Sequence, residues 1–201
     1  MGELPVSGQD TVHVWVGRTA GGRPEVARRL LRRAGSALLG RVEREVVVGH
    51  GPDGRPWVRA GVDVLPVSVS HGDGVVVVAA RRAGAVGVDV ERRRRLPAVA
   101  LARRWYAPPE VTWLHGLPEV DRADGFLLLW TAKEAVGKAL GRGLRDGGSR
   151  RLMPVPEHPR SLLRPVPGLV DVRVGHPACP EGLVLAVAVA APAGEVTVLL
   201  R

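Results

Sequence analysis

Residues 129–141 read LWTAKEAVGKALG, and this stretch has the residue pattern of a helix around which the rest of the chain can be arranged. Asp121 or Asp124 can cap the start of this helix, and Gly141 can end it. A broad apolar face is formed by Phe126, Leu127, Trp130, Val136 and Leu140. The pattern therefore predicts a helix with one buried face.

Two lysines lie in this helix, and the composition makes them informative. The chain has 29 Lys and Arg residues, and only Lys133 and Lys138 are Lys. A chain that otherwise uses Arg indicates that a compact ammonium is needed at these positions. Glu134 and Lys138 are four residues apart, so both project from one face. They are either chemical groups of a site or a solvated ion pair.

Composition sets outer limits on the class of protein. The chain has 201 residues, of which 45% are hydrophobic and 24% charged, as in a globular protein. The formal net charge of +9 indicates attraction to phosphates, nucleic acid or an acidic protein surface without choosing among them.

The cysteine content and the hydropathy of the chain indicate the cellular compartment in which the protein is expected. Cys179 is the only cysteine, which excludes an internal disulfide or a cysteine-based metal site. Residues 1–10 have no basic region followed by an apolar core, and the apolar run over residues 183–191 is too short to span a bilayer. We therefore expect a cytoplasmic protein with no membrane association.

Periodicity predicts an α+β protein. Helices are predicted over residues 25–39, 98–105, 111–117 and 129–141. Strands are predicted over residues 11–17, 45–48, 66–71, 75–81, 86–91, 170–174, 182–190 and 195–200. Residues 50–57 and 106–110 are predicted to be turns, and residues 145–168 a long loop. The three strands between residues 66 and 91 are joined by short turns and predict an antiparallel meander.

The order of these elements predicts two lobes, residues 1–95 and 96–201, each a small, mainly antiparallel sheet with packed helices. The active site is expected in the cleft between them.

Two carboxylates lie on one face of a predicted strand. Asp89 and Glu91 alternate with Val88 and Val90, so both acidic side chains emerge together. Glu134 would add a third carboxylate, and together they suit Mg²⁺. The alternative is an ordinary acidic strand end in water.

Basic and polar residues elsewhere suggest anion contacts. His71 follows Ser70 in a Gly-rich setting, which suits a phosphate contact or simply an exposed strand end. Arg28, Arg29 and Arg32 lie on one predicted helix, as a solvated face or part of an anion site.

Several motifs occur together in a family-specific order. They are Ser68-Val69-Ser70-His71, Gly87-Val88-Asp89-Val90-Glu91, the WTAKEAVGK segment at residues 130–138 and Gly141-Arg142-Gly143-Leu144, preceded by Asp53-Gly54-Arg55-Pro56. The order and spacing from about residue 50 to 145 resemble the 4′-phosphopantetheinyl transferases of the larger, Sfp type.

The resemblance implies a pseudo-twofold enzyme that binds coenzyme A and Mg²⁺ between two lobes. It assigns the metal to Asp89, Glu91 and Glu134 and the pyrophosphate to Lys138. It assigns the nucleotide end of coenzyme A to Arg55, Ser70 and His71, with His71 near the 3′-phosphate. Larger members carry an additional basic helical segment for this phosphate where the chain has only a short Gly-rich link, and Arg28, Arg29 or Arg32 is expected to substitute for it. Glu110 falls where the family often has an acidic residue.

The implied reaction moves phosphopantetheine from coenzyme A to a serine of an acyl or peptidyl carrier protein and releases 3′,5′-ADP. Catalytic roles fall to Asp89, Lys138 and Glu134, with Glu134, Glu110 or a metal-bound water as the base. Fusion of two lobes favours a monomer.

Two other classes compete with this interpretation. The +9 charge and the arginines at residues 92–95 would suit a nucleic-acid-binding protein, but aromatic residues are only 3% and no recognition helix is evident. An inactive relative would bind coenzyme A or a carrier without transfer. The presence of all three carboxylates and Lys138 argues against it.

Overall fold

The computed structural model describes residues 10–145, 147–155, 163–192 and 194–201. The α-helices within these residues are α1 (Arg23–Leu39), α2 (Ala98–Trp105), α3 (Pro108–Gly116) and α4 (Glu119–Leu140). The strands are β1 (Asp10–Arg18), β2 (Val47–His50), β3 (Pro56–Ala60), β4 (Asp63–Leu65), β5 (Val67–Gly72), β6 (Val75–Ala80), β7 (Val86–Arg92), β8 (Arg164–Pro165), β9 (Val172–Gly175), β10 (Leu183–Ala190) and β11 (Val196–Leu200). Most predicted elements are confirmed, with ends that differ by a few residues.

These strands form three sheets. The first sheet has the order β11-β1-β6-β5, the second β7-β10-β9-β8, and the third β2-β3-β4. The pair β1–β11 is parallel, and the other described pairs are antiparallel. The α+β class is therefore confirmed.

The two four-stranded sheets share one core. Val12, Val14 and Val77 of the first sheet are buried together with Val88 and Val187 of the second. The outer face of the first sheet is covered by α1, and that of the second by α4. The layers therefore run helix, sheet, sheet, helix, and α4 is held against the second sheet.

The predicted spacing of α1 is confirmed. Leu30, Leu31, Ala34 and Leu38 are buried against the first sheet, and the helix ends at Gly40 in a left-handed conformation. This is the usual glycine termination, because glycine adopts positive φ without strain.

The central helix α4 begins ten residues earlier than residue 129. Gly141, at φ 78°, ends it as predicted. The predicted caps are wrong, because the residue before the helix is Pro118 and both Asp121 and Asp124 lie inside it. Asp124 is instead ion-paired with Arg93.

Two smaller predictions also change. The turn predicted over residues 106–110 includes the start of α3, because Glu110 accepts a hydrogen bond from the Ala107 N–H and closes the first turn. The loop predicted over residues 145–168 contains β8 and lies partly outside the described residues.

The predicted meander is wrong at its third strand. β5 and β6 pair, but β7 pairs antiparallel with β10 in the second sheet. Along its other edge β7 runs beside β5, where serine side chains accept its N–H groups: the Val88 N–H donates to Ser68 Oγ and the Val90 N–H to Ser70 Oγ. Side chains thus take the place of backbone pairing between the sheets.

Strands cross the expected lobe boundary in both directions. β7 precedes residue 95 but belongs to the second sheet, whereas β11 follows it and pairs with β1. Two lobes divided at residue 95 therefore stay a prediction. None of the helices in the described residues combines the length and apolarity needed to cross a membrane.

Candidate active site

The site is built where α4 crosses β7. Gly87 lies at the crossing, and a side chain there would collide with the backbone of Ala135 and Ala139. The absence of a Cβ lets the helix approach the strand closely. This approach brings Asp89 of β7 to Lys138 of α4.

Asp89 is buried, with 7% of its surface exposed, and is held by two donors. The Lys138 ammonium and the Ser70 hydroxyl each donate to Asp89 Oδ1 at 2.7 Å. Lys138 also donates to the Val88 carbonyl oxygen at 3.0 Å. Burial raises the pKa of the Asp89 carboxyl, and the bonds from Lys138 and Ser70 oppose part of this rise.

Glu134 and Glu91 lie within electrostatic reach of Asp89. Partial burial raises the pKa of Glu134, and the charges of Asp89 and Glu91 add to the rise while Lys138 opposes it. Glu91 accepts a bond from Arg94 at 2.7 Å. The three carboxylates thus act on one another, and two of them are already paired, Asp89 with Lys138 and Glu91 with Arg94.

The chemistry of this donor set suits a hard divalent cation, since carboxylate oxygens are the ligands that Mg²⁺ prefers. The ammonium of Lys138 already contacts Asp89, so a positive charge lies beside this carboxylate in the structure. However, no three His, Cys, Asp or Glu side chains in the described ranges are grouped closely enough to hold a metal ion. The acidic residues are therefore neighbours rather than a preformed metal centre.

A cavity of about 570 Å³ opens beside Lys138. Its basic lining consists of Arg55, Lys138, Arg142 and Arg145. Arg55 reaches it from the β2–β3 turn, donates to the Lys138 carbonyl oxygen at 3.4 Å, and lies so close to Gly141 that a side chain there would collide with it. The cavity therefore suits an anionic ligand.

The other residues predicted to contact the nucleotide do not line this basic cavity. The Ser70 hydroxyl is buried and bonded to Asp89, and the described lining of the cavity includes neither Ser70 nor the exposed His71. Arg29 is exposed on α1 and lines a separate cavity of about 320 Å³ with Arg28 and Arg32.

Sequence reasoning missed a buried ion pair. Lys133 Nζ, fully buried, donates to both carboxylate oxygens of Glu110, at 2.8 and 2.7 Å, and to the Arg151 carbonyl oxygen. Glu110 also accepts from the N–H groups of Ala107 and Met153. These bonds occupy Glu110 in the interior, so it is removed from the candidate bases. The rarity of lysine was the signal that could have found the pair.

Residues 85–165 match the model of the 4′-phosphopantetheinyl transferase superfamily. The part of the chain that carries the candidate site is therefore similar to this superfamily. The matched 4′-phosphopantetheinyl transferase segment contains Asp89, Glu91, Glu134 and Lys138. Arg29, Arg55, Ser70 and His71 precede it.

Individual 4′-phosphopantetheinyl transferases agree with the family match. A homologue from Synechocystis sp. is 33% identical over 140 residues, which cover 66% of this chain and 56% of the relative. The L-aminoadipate-semialdehyde dehydrogenase-phosphopantetheinyl transferase of Eremothecium gossypii is 33% identical over 155 residues, or 70% of this chain and 52% of the relative. A Bacillus subtilis 4′-phosphopantetheinyl transferase is 28% identical over 115 residues, or 57% and 50%. The chain spans about half the length of these relatives.

Proposed function

We propose that this chain transfers 4′-phosphopantetheine from coenzyme A to a serine hydroxyl of an acyl or peptidyl carrier protein and releases 3′,5′-ADP. The observation that carries the proposal is the 2.7 Å contact between Asp89 and Lys138, which joins β7 to α4 inside the matched segment. Glu134 lies one helical turn before Lys138, so an acidic and a basic side chain project from the same face of α4, and Lys138 lines the basic cavity.

Lys138 would bind the pyrophosphate of coenzyme A. Its ammonium already contacts one carboxylate at the edge of the basic cavity, and its side chain is 28% exposed. As a compact point charge it would stabilise the negative charge on the departing nucleotide.

Asp89, Glu91 and Glu134 would hold Mg²⁺. When bound, the ion would neutralise the pyrophosphate and favour attack at its phosphorus. Arg94 contacts Glu91 and would have to yield as the ion binds, whereas Lys138 contacts Asp89 at Oδ1 and would leave Oδ2 for the ion.

Glu134 is our candidate for the base that accepts the proton of the carrier serine. Burial and the neighbouring carboxylates raise its pKa, which improves its match to a proton transfer near neutral pH. Glu110, the other side chain considered, is buried and bonded elsewhere.

The basic cavity beside Lys138 would take the nucleotide end of coenzyme A. Arg55, held against Gly141, would contact its phosphates, with His71 and Ser70 nearby on β5. The arginines of α1, Arg29 among them, are a second candidate for the 3′-phosphate, although they line a different cavity.

We further propose that the chain acts as a cytoplasmic monomer of the Sfp type, with a carrier protein as its macromolecular partner rather than nucleic acid or a membrane. Its positive charge would favour approach to an acidic carrier.

The test is to incubate the protein with coenzyme A, Mg²⁺ and a panel of apo carrier proteins, and to measure carrier mass. We expect a mass increase equal to one phosphopantetheine, lost in Asp89→Ala and kept in Asp63→Ala, an exposed control. Binding of coenzyme A without a mass increase on any carrier would favour an inactive relative. Normal turnover by a folded Asp89→Ala variant would overturn the metal assignment.

A further inference from the structure

The seam between β5 and β7 contains two serines in equivalent positions. Ser68 and Ser70 are two residues apart on β5, and both are buried, at 5% and 6% exposure. Each hydroxyl oxygen accepts a backbone N–H of β7, from Val88 at 3.1 Å and from Val90 at 3.4 Å. The two side chains therefore make the same kind of hydrogen bond between the two sheets.

Among the described residues, Ser70 is the serine of this pair whose hydroxyl contacts Asp89. The Ser70 hydroxyl donates to Asp89 Oδ1 at 2.7 Å, the same oxygen that receives Lys138. Since a hydroxyl has one proton to donate, this bond uses the donor capacity of Ser70. Ser68, in contrast, lies in the lining of the basic cavity.

We infer that Ser70 is a positioning residue that acts through Asp89, and not a contact to the nucleotide. Two donors on Oδ1 fix the rotation of the carboxylate, so Oδ2 is the oxygen that would serve a divalent cation. Partners behind a ligand that hold its orientation strongly affect metal affinity. This inference rests on the proposed function, because it concerns the same acidic residues.

The position of Ser70 in the sheet supports this role. Ser70 is paired with Val77 of β6, so its backbone is held within the first sheet while its hydroxyl reaches the second. Asp89 is likewise held by the pairing of β7 with β10, opposite Ala186. Because both ends of the bond lie on paired strands, the bond has little freedom to drift.

The experiment compares wild type with Ser70→Ala, Ser70→Thr and the matched control Ser68→Ala. Binding of Mn²⁺ is measured by electron paramagnetic resonance at a concentration of 3′,5′-ADP that saturates each variant, so that a change in nucleotide affinity at Ser68 does not alter the reading. Unfolding temperature, kcat and the KM for coenzyme A are measured alongside. We expect Ser70→Ala to weaken Mn²⁺ binding about 10-fold or more, within the range for groups that orient metal ligands. Its kcat should fall while its KM stays within about twofold.

Ser68→Ala removes the same kind of bond to β7, so it should lower the unfolding temperature about as much as Ser70→Ala and leave the Mn²⁺ affinity near that of wild type. Ser70→Thr keeps a hydroxyl and should recover most of the lost affinity. If Ser70→Ala fails to fold, Ser70→Cys takes its place, because a thiol is similar in size to the hydroxyl group but donates only weakly. A positioning role then predicts weaker Mn²⁺ binding, and a nucleotide contact predicts an increased KM for coenzyme A.

An increased KM for coenzyme A with unchanged Mn²⁺ affinity in Ser70→Ala would overturn the inference, as would equal Mn²⁺ losses in both alanine variants. Either result leaves the proposed function standing if wild type transfers phosphopantetheine. A wild type that neither binds Mn²⁺ nor transfers would overturn both.

Discussion

The Lys138 ammonium bridges two groups of β7, at 2.7 Å from Asp89 Oδ1 and 3.0 Å from the Val88 carbonyl oxygen. A compact ammonium can contact both groups at once, whereas a planar guanidinium directs its donors into a fixed fork. Because the chain uses arginine at nearly all its other basic positions, replacing Lys138 with arginine tests whether the shape of the ammonium matters.

Lys138→Arg should therefore lower the transfer rate at least about tenfold, equivalent to about 1.4 kcal/mol of transition-state stabilisation. The measurement is kcat/KM for coenzyme A on an apo carrier, with circular dichroism as the folding control. Wild-type kinetics in this variant would show that charge alone is sufficient at this position.

The buried pair Lys133–Glu110 should dominate local stability. Burial lowers the pKa of Lys133, and the bonds to Glu110 oppose this effect. Lys133→Met should cost about 3–5 kcal/mol, because it leaves a carboxylate uncompensated in the interior. The double variant Lys133→Met/Glu110→Leu should recover part of the loss in urea unfolding. A single variant as stable as wild type would contradict the assignment of a structural pair.

Gly137 should resist a substitution that normally stabilises helices. A Cβ at Gly137 would collide with the backbone of Gly143, where the chain turns back after α4. Gly137→Ala should therefore destabilise the fold by about 1–3 kcal/mol, despite the better helix propensity of alanine. Gly116→Ala is the matched control, since a Cβ there meets open space. Equal unfolding free energies for the two variants would refute the close approach.

His176 should make stability depend on pH in the acidic range. Burial lowers its pKa from 6.5 to about 4, and its ring contacts the Leu128 carbonyl oxygen at 2.9 Å. The unfolded chain then binds a proton at higher pH than the folded chain. The contribution to stability is complete above pH 6.5 and is lost as the pH falls towards 4.

The loss from this histidine should be on the order of 3 kcal/mol. Unfolding free energies of wild type and His176→Gln, measured by urea titration from pH 7 to 4, should converge as the pH falls. Parallel pH profiles would contradict a buried neutral imidazole.

Arg94 should compete with a divalent cation for Glu91. The ion pair at 2.7 Å is half-exposed, and such pairs are typically worth about 0.2–1 kcal/mol. Arg94→Gln should thus tighten Mn²⁺ binding about 1.4- to 5-fold in a titration followed by electron paramagnetic resonance. Arg95→Gln makes the same charge change one residue away. If both variants tighten binding equally, the effect is general charge and not release of Glu91.

Local patterns were sufficient for most elements. The apolar spacing of α1 and the termination of α4 at Gly141 are set by neighbours within a turn or two, so they were readable from the sequence. The alternation that places the Asp89 side chain on one face of β7 and those of Val88 and Val90 on the other is equally local. The predicted start of α4 was wrong because the packing of the whole helix outweighed the preference of Asp121 and Asp124 for a capping position.

The assignment of β7 to a sheet could not be predicted locally. A short turn after β6 favours a hairpin, but Asp89 lies opposite Ala186, nearly a hundred residues later. The serines of β5 then satisfy N–H groups of β7 that backbone carbonyls would otherwise take. Which edge pairs with which depends on the burial of both faces, and this is a property of the completed core.

The amino-acid sequence by itself determined which residues are candidates for the chemistry, since the spacing of carboxylates and the two lysines is visible without coordinates. Only the tertiary structure decided which groups these residues contact. It buried Glu110 against Lys133, bonded Ser70 to Asp89, and left Arg29 at a separate cavity. The physical reason is that burial and partner choice depend on contacts between residues far apart in the chain, whereas periodicity reports only on near neighbours.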